Sequence, residues 1–161
     1  MALNNLAGAK FFAKIDLKGA YHQIEMSPEA RAITTINTPI GLLRWTCLPY
    51  GIKTASAIFQ RAIESTIGTD TSGIIIYQDD ICIGDESLDA LRMKVNTVLS
   101  RLSAAGMRIN EKKCVMEASD LGFLGYNLSA NGVQPDKRLL KKCLMFSLLK
   151  IKRNSYPSLV S

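Results

Sequence analysis

GIIIYQDDICIG, residues 73–84, sets two carboxylates, Asp79 and Asp80, side by side within a run of isoleucines. Adjacent like charges repel, and each resists burial because it loses its hydration. The pair therefore belongs at a point that meets water or a cation. The two β-rich runs that meet at the pair predict a hairpin with buried arms and an acidic tip. Asp also favours turns for its own backbone bonding, so a plain solvated turn is the competing reading.

A partner for the hairpin lies upstream. In KFFAKIDL, residues 10–17, Phe11, Ala13, Ile15 and Leu17 point one way while Lys14 and Asp16 point the other. That pattern predicts a strand with one apolar face and a carboxylate near its end. SPEARA (27–32) opens a short helical turn at Ser27 with Pro28 in first position. AITTIN and LLRWTCL predict two strands around the turn TPIG (38–41). TASAIFQRAIESTIG (54–68) predicts a helix capped by Thr54, ended by Gly68 and apolar along Ile58, Phe59, Ala62, Ile63 and Ile67. SLDALRMKVNTVLSRLSAAG (87–106) predicts another, capped by Ser87 and stopped by Gly106. MRIN, KCVM and LGFLGYNL read as short strands, and ANGVQPD (130–136) as a turn.

This order predicts an α+β fold, one small antiparallel sheet with helices on one face. The carboxylate strand and the hairpin would share that sheet and gather Asp16, Asp79 and Asp80 on its open face. Three convergent carboxylates cannot all stay ionised without a cation. Hard oxygen donors favour Mg²⁺ or Mn²⁺, ions that typically bind substrate phosphates, so phosphoryl transfer is the chemistry this pattern predicts.

Composition sets the limits. The 161 residues are 47% hydrophobic and 21% charged, a globular balance of about one domain's size. No apolar run approaches the ~20 residues of a membrane span, and MALNNLAGAK lacks a secretory leader's apolar stretch. An intracellular protein, cytoplasmic or nuclear, is expected, with no membrane partner. Cys47, Cys82, Cys114 and Cys143 form no CxxC and are expected to be reduced, mostly buried small hydrophobes. The net charge of +6 is not spread evenly: residues 135–161 hold seven of the 20 Lys and Arg but one of the 14 Asp and Glu. The rest is neutral, so the overall charge does not argue that the body binds nucleic acid.

Five segments together resemble a known family. FFAKIDLKGAYHQI (11–24), LPYGIKTASAIFQ (48–60), YQDDICIG (77–84), GMRINEKKC (106–114) and FLGYNLSANGVQPD (123–136) are similar, in this order, to the palm motifs of reverse transcriptases. The wording is closest to gypsy-type LTR retrotransposon pol polyproteins. The resemblance implies a polymerase palm and an RNA-directed DNA polymerase that joins dNTPs to a template–primer of RNA or DNA with two Mg²⁺ (or Mn²⁺) ions. Asp16, Asp79 and Asp80 match the catalytic, metal-holding aspartates, with the Leu17 backbone as a further ligand. Tyr77 and Gln78 match the start of the Tyr-x-Asp-Asp motif. Tyr21 matches the aromatic gate that excludes a ribose 2′-hydroxyl, and Ala20, Tyr50 and Gly51 match the nucleotide-binding surface. Lys113, or its neighbour Lys112, matches a lysine suggested to protonate pyrophosphate. Phe123, Leu124, Gly125 and Tyr126 match the primer grip. His22 has no assigned role, and Ser56 stands where the family usually has proline.

The resemblance also frames the ends of the chain. Residues 1–142 match a palm with a partial fingers region at about 27–46. Most of the fingers, the thumb and RNase H are expected to be absent, so the isolated chain is expected to polymerise poorly. Residues 143–161 depart from the family, and a shift of reading frame near residue 142 would account for this basic tail; a genuine basic helix is the other reading. A non-catalytic remnant of a decayed element, or another palm-type phosphoryl-transfer enzyme, are the alternative functions.

Overall fold

The computed structural model describes residues 2–136. In chain order its elements are β1 (Phe11–Asp16), α1 (Pro28–Ile33), β2 (Ile36–Thr38), β3 (Gly41–Leu43), α2 (Ala55–Ile67), β4 (Ile74–Tyr77), β5 (Asp80–Asp85), α3 (Leu88–Ala104), β6 (Val115–Ala118), β7 (Asp120–Phe123), β8 (Tyr126–Ser129) and β9 (Gly132–Pro135), with short 3₁₀ turns at Ala2–Leu6, Ala20–Gln23 and Glu111–Lys113.

The central sheet runs β4-β5-β1-β6. The alternation read from residues 10–17 holds: Ala13 and Ile15 are fully buried on one face, while Lys14 and Asp16 lie on the other. Pairing is antiparallel, with Ala13 opposite Ile83, Ile15 opposite Ile81 and Asp16 opposite Asp80. Two helices cover the aliphatic face. α2 buries Ala55, Phe59, Ile63 and Ile67, and α3 buries Leu91, Val95, Val98 and Leu102. Each large side chain removed from water there contributes about 1.5–3 kcal/mol. Ser27 and Ser87 cap α1 and α3 by accepting from the Ala30 and Ala90 amides at 3.3 and 3.2 Å.

Several sequence expectations need correcting. Thr54 makes no capping bond because its own backbone is already helical, whereas a cap residue needs an extended one. Ile58 is 45% exposed, since the buried stripe of α2 advances in steps of four from Ala55 and leaves it to one side. The 32–35 segment completes α1 and its turn, shortening the β2–β3 hairpin. MRIN contributes a single bridge, Ile109 to Leu17. The 130–136 segment supplies β9 as well as a turn. Among the described residues there are three sheets instead of one, because β2 and β3 pair only with each other and so do β7, β8 and β9. This meander packs Leu121, Phe123 and Leu128 into a second core with Phe12, Ile75 and Cys82. The meander thus covers part of the open face, and Lys14, Asp16 and Asp80 lie on that same face, Lys14 directly opposite Cys82.

The cysteines are less buried than expected. Cys82 is buried, while Cys47 and Cys114 are half-buried, all three as free thiols. Burial pushes the Cys82 thiol up to about 12, so it stays neutral. Cys143 and the basic tail lie outside the described residues. No helix among the described residues is long and apolar enough to cross a membrane.

Two predictions concern the sheet's far end. Gly73 has φ +74°, and a Cβ there would stand 2.5 Å from the Gly84 carbonyl oxygen. Gly73→Ala should cost about 2 kcal/mol or more in urea unfolding. Asp85 receives Lys94 at 2.8 Å; that hydrogen bond, ahead of those from the Ser87 and Glu86 amides, holds its carboxyl below the usual value. A depressed folded pKa gives stability that is present above the unfolded value and lost as pH falls through the folded one. The stability gap between the unaltered chain and Asp85→Asn should narrow as unfolding is measured from about pH 6 to about pH 3.

Candidate active site

Asp16 ends β1 and is 7% exposed. Its amide donates to Cys114 Sγ at 3.4 Å and its carbonyl accepts from the Asn110 amide at 2.8 Å. One residue on, the Leu17 amide donates to the Asp79 carbonyl at 2.9 Å. This bond and the Asp16–Asp80 register join the strand end to the hairpin tip. Beyond it, Gln23 locks the next turn, donating to the Lys18 and Arg108 carbonyls and accepting from the Arg108 amide at 2.6 Å.

The tip is tight. Gln78 has φ 53°, a left-handed conformation that costs a non-glycine residue energy unless its surroundings hold it. Gln60 of α2 does so: its Oε1 accepts from the Gln78 amide at 2.8 Å and its Nε2 donates to the Ile76 carbonyl at 2.9 Å. Tyr21 donates to Gln78 Oε1 at 3.3 Å. Its ring lies 5.0 Å from that of Tyr50 and 5.4 Å edge-on from that of Phe59. Ala20 is buried, Tyr50 is exposed, and Gly51, at φ +90°, has open space where a Cβ would stand. His22 lies 5.0 Å edge-on from Tyr50 and stacks parallel to Trp45 at 6.0 Å.

Two lysines stand at the carboxylates. Lys14 Nζ is 2.9 Å from Asp80 Oδ1, and Lys113 Nζ is 3.7 Å from Asp16 Oδ2. The expected gathering of three carboxylates is not met as the side chains stand. Among the described residues, no three His, Cys, Asp or Glu side chains are grouped as metal ligands. Asp16 and Asp80 share a face, whereas Asp79 belongs to the turn, and the compensating charge comes from lysine.

The structure thus places Asp16, Leu17, Tyr21, Gln78, Asp79, Asp80 and Lys113 around the end of β1 and the hairpin tip, without grouping the three carboxylates. Lys112 is an exposed neighbour, and Tyr77 is the exposed register partner of Asp80. Phe123, Leu124, Gly125 and Tyr126 form the β7–β8 turn on the separate meander, with Phe123 buried and Leu124 and Gly125 at φ 49° and 81°. Sequence reasoning missed Lys14, Gln60, Gln23 and Cys114 as parts of the site. Lys14 alone carried a signal, since it shares a face with Asp16 two residues away.

The family described as reverse transcriptase (RNA-dependent DNA polymerase) matches residues 1–128. The chain belongs to the reverse transcriptase family. It is 34% identical over 145 residues to the transposon Tf2-3 polyprotein of Schizosaccharomyces pombe, covering 89% of this chain and 11% of that protein. It is also 34% identical over 142 residues to the retrovirus-related Pol polyprotein from transposon gypsy of Drosophila melanogaster, covering 88% and 14%. The chain therefore spans about a tenth to a seventh of the length of these retrotransposon relatives. In fold it resembles the foamy viral protease-reverse transcriptase solved with an RNA/DNA hybrid, at TM-score 0.78 and 23% identity over 88% of this chain and 19% of that one. The form of that protein solved with double-stranded DNA gives 0.79 and 24% over 87% and 25%. These likenesses support the palm-type reading of the sheet and its helices. Reverse transcriptase membership also removes the reading as another palm-type phosphoryl-transfer enzyme.

Gln60→Ala should free both the Gln78 amide and the Ile76 carbonyl. A cost of about 1–2 kcal/mol is expected in urea unfolding, together with faster amide hydrogen exchange at Gln78.

Proposed function

We propose that this chain carries the chemical centre of an RNA-directed DNA polymerase, the part that joins a dNTP to the 3′ end of a template–primer. The observation that carries this reading is the register of Asp16 against Asp80 on the open face, with Asp79 tied to Leu17 by a backbone bond. The donor set, carboxylate oxygens from Asp16, Asp79 and Asp80, suits a hard divalent cation. Reverse transcriptases generally use divalent ions. Asp16, Asp79, Asp80 and the Leu17 carbonyl would hold two Mg²⁺ or Mn²⁺ ions here. Such ions supply activation of the primer hydroxyl and charge neutralisation on the departing pyrophosphate.

The chain's own side chains supply orientation. Tyr21, held by Gln78 and Phe59, would present its ring where a ribose 2′-hydroxyl would need room, selecting deoxynucleotides. Tyr50 offers a flat exposed face to base or sugar, and the open side of Gly51 admits close approach. Lys113, beside Asp16, could pass a proton to pyrophosphate, with Lys112 as its alternate. The turn at Phe123–Tyr126 would steady the primer end, and residues 27–46 would form the fingers-like part. An intracellular setting, cytoplasmic or nuclear, belongs to the same reading.

Single-nucleotide addition to a primed template with Mn²⁺ tests it. Slow addition by the unaltered chain is expected, falling at least about 100-fold in Asp79→Asn with the circular dichroism unchanged. No addition by the unaltered chain, or addition that survives the substitution, would contradict the reading.

A further inference from the structure

Two carboxylates placed opposite each other in register on one sheet face repel. Asp16, 7% exposed, and Asp80 are such a pair. The strand pairing holds them opposite each other, and a nearby cation offsets their repulsion when no divalent ion does. Lys14 lies on the same face, two residues before Asp16, and its register partner is Cys82, two residues after Asp80. That makes Lys14 and Asp80 diagonal neighbours, within reach of a long side chain. Their contact is 2.9 Å, with the two side chains only 23% and 25% exposed. The floor beside Lys14 is apolar, made of Phe12, Cys82 and Ile75. A lysine on such a strip loses hydration and is retained at a cost unless its charge is paired. Lys113, the other cation, is 3.7 Å from Asp16 and 67% exposed, an outer and looser contact.

We propose that Lys14 is a built-in counter-ion of the active site. Its ammonium holds Asp80 when no divalent cation does, offsets the repulsion of the opposed carboxylates, and sets the concentration at which a divalent cation takes over the carboxylate. Lys14 is thus a positioning residue that acts through Asp80. The inference rests on the metal-site reading above and assigns that site a competitor supplied by the fold itself. The ammonium and the divalent ion seek the same oxygen, so removing the first favours the second.

The probe is Mn²⁺ itself, its free concentration followed by electron paramagnetic resonance in titrations of the full chain. Lys14→Met keeps the apolar stem and removes the charge; it should bind Mn²⁺ about fivefold more tightly than the unaltered chain. Lys14→Arg should stay within about twofold, and Asp80→Asn should bind far more weakly. In EDTA, Lys14→Met should melt at a lower temperature than the unaltered chain, and Mn²⁺ should raise its melting temperature by more. Equal or weaker Mn²⁺ binding by a folded Lys14→Met overturns the proposal, while weak binding by Asp80→Asn in the same series leaves the metal reading standing. If Asp80→Asn binds as the unaltered chain does, the metal reading fails and takes the proposal with it. If Lys14→Met does not fold in EDTA, the double variant Lys14→Met, Asp80→Asn decides. Restored folding supports the counter-ion, and failure to fold shows that Lys14 acts by packing, which overturns it.

Discussion

The pairing of β1 with β5 is the constraint on which the rest depends. It sets Asp16 opposite Asp80 and Ile15 opposite Ile81. Because side chains alternate with a period of two, a slip of one residue would turn Asp80 toward the helices and an isoleucine toward the polar face. The aliphatic alternation prevents that slip. Ala13, Ile15, Ile81 and Ile83, all fully buried, must face α2 and α3. The hydrophobic effect on one side of the sheet thus positions charges on the other.

Smaller devices refine what the register sets up. Gln60 reaches from α2 to the hairpin tip and holds Gln78 in its left-handed conformation, so the helix layer also shapes the turn. Tyr21 bonds the same Gln78 from the other strand's extension. The β7–β9 meander packs over Phe12 and Cys82 on the same face of the sheet that carries Lys14, Asp16 and Asp80. The lysines answer the electrostatic problem that opposed carboxylates raise: Lys14 meets Asp80 and Lys113 meets Asp16.

Much of this was legible in the sequence. The 10–17 alternation, the hairpin at 73–84 and the capped helix after Ser87 all emerged where local pattern and tertiary structure agree. What was not legible came from long-range placement. Nothing in the local pattern of residues 120–135 says that their strands pair among themselves instead of extending the central sheet. Ile58 looks core-facing by composition, and only the true position of the stripe on α2 exposes it. Gln60 and Gln23 act through backbone groups 16 and 85 residues away, contacts that no local motif announces. Lys14 shows the opposite case: its face is readable from the alternation, but nothing local says that its ammonium reaches Asp80.

The most direct measurement is a crystal structure of the chain soaked in Mn²⁺, read from the anomalous signal of manganese. The account predicts a peak about 2 Å from carboxylate oxygens of both Asp16 and Asp80, with the Lys14 ammonium moved off Asp80. Manganese bound elsewhere, or Lys14 still seated on Asp80 while Asp16 and Asp80 share no ion, would contradict it.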